Sequence, residues 1–411
     1  MTTRLAQPAR NLAAWLTRRG PAAGVEAPQP MVPAPISPQT LPETLAESSA
    51  ARLLDGRLHA PVLATPPECA EWQGVVDRHA ALAAGGDWPA LLAALRQADQ
   101  NRTAVTGGRR LAALISQGAR AALGQTLARQ DWAAAQIEIS RIAAMQARYP
   151  QDYAAAHLLA QAQIDLGWAR RSAEPESAVS REVWKEFLRR TALAETAMEP
   201  FDPLEEDAPI LAGTRYLLVR GIEDGDLLCR DWYEDWSDLD PTDPEPHAVH
   251  APHLLPRWFG SLSEFDDEAR TAMRRTRQAT GAAAYALFYL AAGDSLGVPP
   301  AQMDLRLFLT GLEDHAGQTG CQYRANIVAA ALAELDHTLS VDDPTAAMAR
   351  HMVRNALDDH LRNRLREIHL SAWENGEPSV QYALERVFAA ELARGEDVHA
   401  GPQGLIARLP D

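Results

Sequence analysis

Apolar residues recur at helical spacing along most of this chain, carried mainly by alanine and leucine. Between residues 68 and 170 the pattern is a series of short amphipathic units. Asp87 stands where a helix cap is needed before Trp88, and Pro89 fits the first turn. Arg129-Gln130-Asp131-Trp132 opens a second helix that carries Ile137, Ile139, Ile142 and Met145 as far as Tyr149-Pro150. A third runs from Asp152 through His157, Leu158 and Leu159 to Gly167-Trp168-Ala169. Further helices are expected at 262–278, 280–292, 303–315, 321–339, 343–374 and 378–393. The 343–374 expectation rests on Ala349, Met352, Val353, Ala356, Leu357, Leu361, Leu365 and Ile368 at i, i+3, i+4 spacing. Runs of β-branched residues are nearly absent, Tyr216-Leu217-Leu218-Val219 coming closest, so the fold class is all-α.

The units repeat as a turn, an Ala/Leu helix and a Gly-x-Ala ending. Each such hairpin has an apolar face that only a neighbour can cover, which predicts an array of helical hairpins, a tetratricopeptide-like solenoid. Asp-Trp recurs at 87/88 and 131/132, and Asp240-Pro241-Thr242-Asp243-Pro244-Glu245-Pro246 has the look of a turn between repeats. Residues 1–42 stand apart. The first twenty carry Arg4, Arg10, Arg18 and Arg19, no acid, and Leu5, Leu12, Trp15 and Leu16. Seven prolines follow between 21 and 42, a composition that cannot pack a core and predicts disorder. The expected organisation is therefore a basic arm and linker (1–42), an N-terminal repeat region (43–200), an acidic connecting segment (201–246) and a C-terminal repeat region (247–411).

Charge narrows the partner. The net charge is −16, which excludes nucleic acid as the main partner, because phosphate binding needs a positive surface. Residues 201–250 alone hold fourteen Asp and Glu against Arg215, Arg220 and Arg230. Solvated loop is the plain interpretation of such a run; a surface for a basic protein is the functional one, with Asp224, Asp226, Asp231, Glu234, Asp235 and Asp238 as its residues. Cys69, Cys229 and Cys321 have no paired spacing, which suits a reducing cytoplasm rather than a disulfide framework. No apolar run reaches membrane-spanning length, although residues 1–20 could touch a membrane surface.

Chemical motifs are few. His247, His250 and His253 are spaced by three, as imidazoles on one helical face would be, and could hold a transition metal. Pro252 between the last two works against a regular helix there. The acids from Asp238 to Asp243 do not form a calcium loop, since Asp243 and Val249 occupy the positions that require Gly and Glu. Pro256-Arg257-Trp258 suggests an elbow in which guanidinium and indole stack, Gly260 turning the chain into the next helix. There is no phosphate loop or nucleophile elbow, and no motif implies a cofactor.

Leu254-Leu255-Pro256-Arg257-Trp258-Phe259-Gly260-Ser261 resembles a segment of an uncharacterised family of bacterial tetratricopeptide-like proteins, which carries Leu-x-Pro-Arg-Trp-Gly-Gly-Ser at a helix start. Phe259 stands here in place of that segment's first glycine. Asp304 to Leu312 and Gln322 to Asn326 look like later segments of the same family, so the resemblance covers about 80–338. It implies a helical-repeat fold and no known activity. The expectation is thus a non-catalytic binding or scaffold protein of a bacterial cytoplasm, in one form an immunity-type inhibitor, using the acidic residues above with Arg257 and Trp258. The alternative is a metal-dependent enzyme centred on His247, His250 and His253.

Overall fold

Helix starts follow local chemistry. Asp87 accepts a hydrogen bond from the Ala90 amide (3.3 Å) and Asp131 from the Ala134 amide (3.0 Å), each satisfying an otherwise orphan donor. The computed structural model describes residues 52–171, 179–256, 258–296, 303–339 and 346–410. The basic arm and proline-rich linker lie outside the described residues. In the first part of the chain the helices are α1 (Glu68–Gly85), α2 (Trp88–Gln100), α3 (Leu111–Ala119), α4 (Ala121–Ala128), α5 (Trp132–Arg148), α6 (Tyr153–Arg171), α7 (Arg181–Met198), α8 (Pro209–Tyr216) and α9 (Gly225–Leu239). Then come α10 (Glu245–His250), α11 (Leu262–Thr280), α12 (Ala283–Leu296), α13 (Leu305–Gly317), α14 (Gln322–Leu339), α15 (Ala347–Asn363) and α16 (Glu377–Ala393). The chain is mostly helical, as its periodicity implies.

Among the described residues, five short strands depart from that expectation. β1 (Leu58–His59) pairs in parallel with β4 (Asp397–Ala400), which pairs antiparallel with β5 (Leu405–Arg408). β2 (Val62–Leu63) pairs in parallel with β3 (Ile368–His369). The last pairing explains why α15 stops at Asn363 although apolar spacing continues to Ile368. Leu365 and Ile368 are indeed buried, but Ile368 sits opposite Val62 in a strand. Asn326 on α14 holds that strand: its side-chain carbonyl accepts from the His369 amide (2.8 Å) and Trp373 Nε1 (3.0 Å), and its amide donates to the Gln322 and Glu367 carbonyls. Burial of an asparagine is tolerated only when its groups are met in this way.

The described chain divides into two compact units, 71–246 and a discontinuous one made of 52–70 with 247–410. In the 71–246 unit the core is built from Leu91, Leu92, Leu95, Ile115, Leu123, Ile139, Ile142, Leu158, Ile164 and Phe187. Helix α6 is buried on nearly every side, and its alanines and Gly167 let α7 approach closely; a Cβ at Gly167 would stand 3.2 Å from Arg190 Cβ. A guanidinium lies over Trp72, Trp88, Trp132, Trp168, Trp184 and Trp232, with centroid distances of 5.0–5.4 Å. In the other unit, Phe265, Tyr285, Phe288, Tyr289 and Phe308 form an aromatic core. Its polar groups are paired: Asp266 accepts from Tyr285 (2.5 Å), Tyr289 (2.7 Å) and Arg270 (2.6 Å). Among the described residues no helix is long and apolar enough to cross a membrane.

Candidate functional site

Helix α9 is fixed along one side and open along the other. Gly225 must be glycine, since a Cβ there would fall 1.8 Å from the Val219 carbonyl oxygen. Cys229, Tyr233, Trp236 and Ser237 are buried, and Trp236 packs against Gly213 of α8 so tightly that a Cβ at 213 would come within 2.8 Å of its ring. On the opposite side Asp224, Leu227, Asp231 and Asp238 are exposed. Spacings of three, four and seven residues put all four on one helical face. Asp226, also exposed, lies in the first turn, where a carboxylate is favoured by the helix dipole.

These acids do not share one environment. Leu227 is 72% exposed, and among the described residues Asp224, Asp226 and Asp231 have no ion pair. Asp235 is half-buried and pairs with Arg215 (2.5 Å), whose guanidinium also covers Trp232. Glu234 is half-buried as well. Of the sequence-predicted partner residues, α9 thus gathers six, and three of them carry unpaired charge around an exposed leucine. Arg257 lies outside the described residues. Trp258 is half-buried, its ring centroid 6.2 Å from Phe259 and 6.3 Å from His253.

Just beyond α9 the acids turn inward. Asp240 is 3% exposed and bound by Arg110, through Nε (2.6 Å) and Nη2 (2.8 Å), while Thr242 accepts from the same guanidinium (2.6 Å). Asp243 is buried too and accepts from the Glu245 amide (3.1 Å). Burial pushes the Asp243 carboxyl up to about 7, helped by Glu245 and opposed by Arg110. Burial also raises Glu245. Arg102 ties the preceding turn down by donating to the carbonyls of Leu239 (3.1 Å) and Asp207 (3.1 Å). Nearby Asp99 accepts from Tyr153 (3.2 Å) and the Ile210 amide (3.0 Å), and burial lifts it to about 7.

The three histidines are all buried. His247 and His250, on α10, face Phe288 at 6.0 and 5.9 Å, and burial lowers His247 to about 4. His253 follows in a 3₁₀ turn (Ala251–Leu254), where its carbonyl accepts from the Phe259 amide (3.0 Å). His250 and His253 bring ring nitrogens within 4.8 Å of each other. Among the described residues no close group of three or more ligand atoms contains His247. The stacking of Arg257 on Trp258 expected in the elbow after them lies outside the described residues. A Cβ at Gly260 would meet the Leu254 oxygen at 2.2 Å, and Ser261 caps α11, accepting from the Glu264 amide and donating to its carboxylate (2.7 Å).

Two further groupings escaped sequence reading. Ser116 Oγ lies 2.6 Å from His157 Nε2, and His157 Nδ1 2.7 Å from Thr214, which resembles a nucleophile and base. Both Ser116 and His157 are sealed, at 3% and 2% exposure, so the contact braces α3, α6 and α8. Burial holds His157 well below its ordinary pKa. In the discontinuous unit a cleft of about 450 Å³ is lined by Glu313, Cys321, Gln322, Asp359, Arg364 and Arg366. His360 and Arg364 hold the Glu313 carboxyl at about 2. These residues come from three helices and two loops, so no local motif announces them. The chain matches no family model, no curated protein and no solved structure.

Proposed function

We propose that this chain is a non-catalytic protein-binding scaffold, an array of helical hairpins whose α9 face receives a basic protein. The observation that carries the reading is the set Asp224, Asp226 and Asp231 around Leu227: charge left unpaired in a segment whose other acids are largely paired or buried. Unpaired carboxylates steer a cationic partner, and one exposed apolar side chain gives it a point of desolvation. Packing of consecutive helices from α2 to α7 and the recurring Asp-Trp helix starts support the repeat reading, as does the resemblance at Leu254–Ser261. An immunity-type inhibitor of a basic toxin is a specific form of this function. Cys69, Cys229 and Cys321 form no disulfide among the described residues, which supports a reducing cytoplasm as its compartment.

The test compares the full chain with its D224N/D226N/D231N variant for retention of a co-purifying basic protein from native lysate. The variant should bind at least about tenfold more weakly, with the difference shrinking at 0.5 M salt. Equal retention by both would overturn the α9 assignment. Metal assayed on the same sample addresses the second reading, a metal-dependent enzyme at His247, His250 and His253, which the close approach of His250 and His253 favours. About one metal ion per chain with no protein partner would replace the scaffold reading.

A further inference from the structure

We propose that the cleft lined by α13, α14 and the end of α15 binds a small zwitterion, a free amino acid or a short peptide. Its carboxylate meets Arg366 and its ammonium meets Asp359. The site lies in the discontinuous unit and does not rest on the α9 reading.

Size and charge both point to such a ligand. The cleft holds about 450 Å³, within the roughly 300–1,000 Å³ of small-molecule pockets. Four charged side chains line it: Glu313, Arg364, Asp359 and Arg366. The first two satisfy each other. One Glu313 oxygen accepts from Arg364 Nε (2.7 Å) and from its Nη2, and His360 Nδ1 stands 3.5 Å from the other oxygen. Asp359 and Arg366 remain. Both are exposed, and among the described residues neither makes an ion pair, with the other or with any third group. Asn363 donates to Asp359 Oδ1 (2.8 Å), which leaves Oδ2 to receive a ligand. Opposite charges that share one cleft without meeting are satisfied together by a ligand that carries one of each.

The backbone fixes which end of the ligand goes where. Gln322 accepts from the amides of Arg366 (2.7 Å) and Glu367 (3.3 Å) and donates to the Arg364 carbonyl (3.0 Å), so the arginine is tied to α14. Gln322 is also the first residue of that 18-residue helix, whose positive end therefore stands beside Arg366 and favours the same carboxylate. α15 has the reverse polarity at the cleft. Asp359 lies in its last turn, where the helix ends at Asn363 and its negative end favours an ammonium. Ala316, Ala325 and Pro402 add small apolar walls, which suit a methyl side chain.

Calorimetric titration of the full chain with alanine, alanylalanine and trialanine tests it, because the three probes carry the same two charges at increasing separation. At least one should bind with a Kd of about 5 mM or tighter, and R366Q and D359N should each weaken that probe at least about fivefold. Both variants replace exposed side chains, so both should fold as the wild type does. N-acetylalanine, which lacks the ammonium, and alaninamide, which lacks the carboxylate, should not bind. Cys321 locates the ligand, since it lines the cleft and is half-buried while Cys69 and Cys229 are buried. Its alkylation by N-ethylmaleimide should slow about threefold in about 10 mM of the bound probe, the factor set by a Kd of about 5 mM. No binding of any of the three probes would overturn the proposal. Binding that R366Q or D359N leaves unchanged would do so too, as would an unprotected Cys321, which would put the ligand elsewhere. Equal affinity for N-acetylalanine would replace the zwitterion site with a plain anion site.

Discussion

Asp231 and Asp240 belong to one acidic run, yet Asp231 is exposed without an ion pair while Asp240 is 3% exposed beneath Arg110. The difference lies not in the acids but in what folds against them. α9 turns the carboxylates opposite Cys229 and Trp236 toward water, whereas the turn after it is drawn onto the start of α3 by Arg110 and Arg102. One stretch is left exposed to solvent, and the other is part of the unit's own stability.

Removing Arg110 should break this comparison most severely. An R110A variant leaves Asp240 buried without its cation, a change that costs about 3 kcal/mol. In a unit of this size the melting temperature should fall by roughly 6–12 °C, measured by calorimetry. An unchanged melting temperature would mean that the buried acids need no cation.

The pH response is next in size. The folded-state pKa of Asp243, about 7, lies above its usual 3.8, so the folded chain holds an extra proton. The stability this contributes is complete below about pH 3.8 and is lost as pH rises through 7. Asp99, raised to about 7 by burial, acts in the same direction. His157, lowered by burial, has the opposite sign, with stability lost as pH falls below 6.5, so the comparison belongs above that value. Between pH 6.5 and 8.5 the urea midpoint should decline, by about 1 kcal/mol for each carboxyl, and D243N should show a shallower decline. A midpoint that rises with pH in this window would contradict the burial of both acids.

The smallest effect on stability is expected where the effect on binding is largest. D224N/D226N/D231N should change unfolding free energy by less than about 0.5 kcal/mol, because its side chains are exposed and unpaired. A loss above 1 kcal/mol in denaturant titration would return these acids to the stability of the fold.

Legibility in the sequence followed distance along the chain. The caps at Asp87, Asp131 and Ser261 were readable because donor and acceptor sit three residues apart. The acidic character of 201–246 was readable from composition. Its division was not, since Arg110 and Asp240 are 130 residues apart and no periodicity links them. The end of α15 was misplaced for the same reason: Ile368 keeps a helical apolar spacing, and only Val62 decides that it is a strand. The histidine spacing was visible, but the burial of all three depends on Phe288 and Phe259 packing against them.

The pairing of β1 with β4 also governs when this protein can finish folding. Arg57 and Asp397, which bond at 3.0 Å beside that pairing, are 340 residues apart. At ribosomal rates of about 5–20 residues per second, Asp397 is made roughly 20–70 s after Arg57. The 71–246 unit is contiguous and can fold within that interval, but residues 52–63 must wait for their strands, with β-forming backbone open to other contacts. A nascent chain halted near residue 300 would therefore hold β1 and β2 without β4 and β3, the strands that complete them.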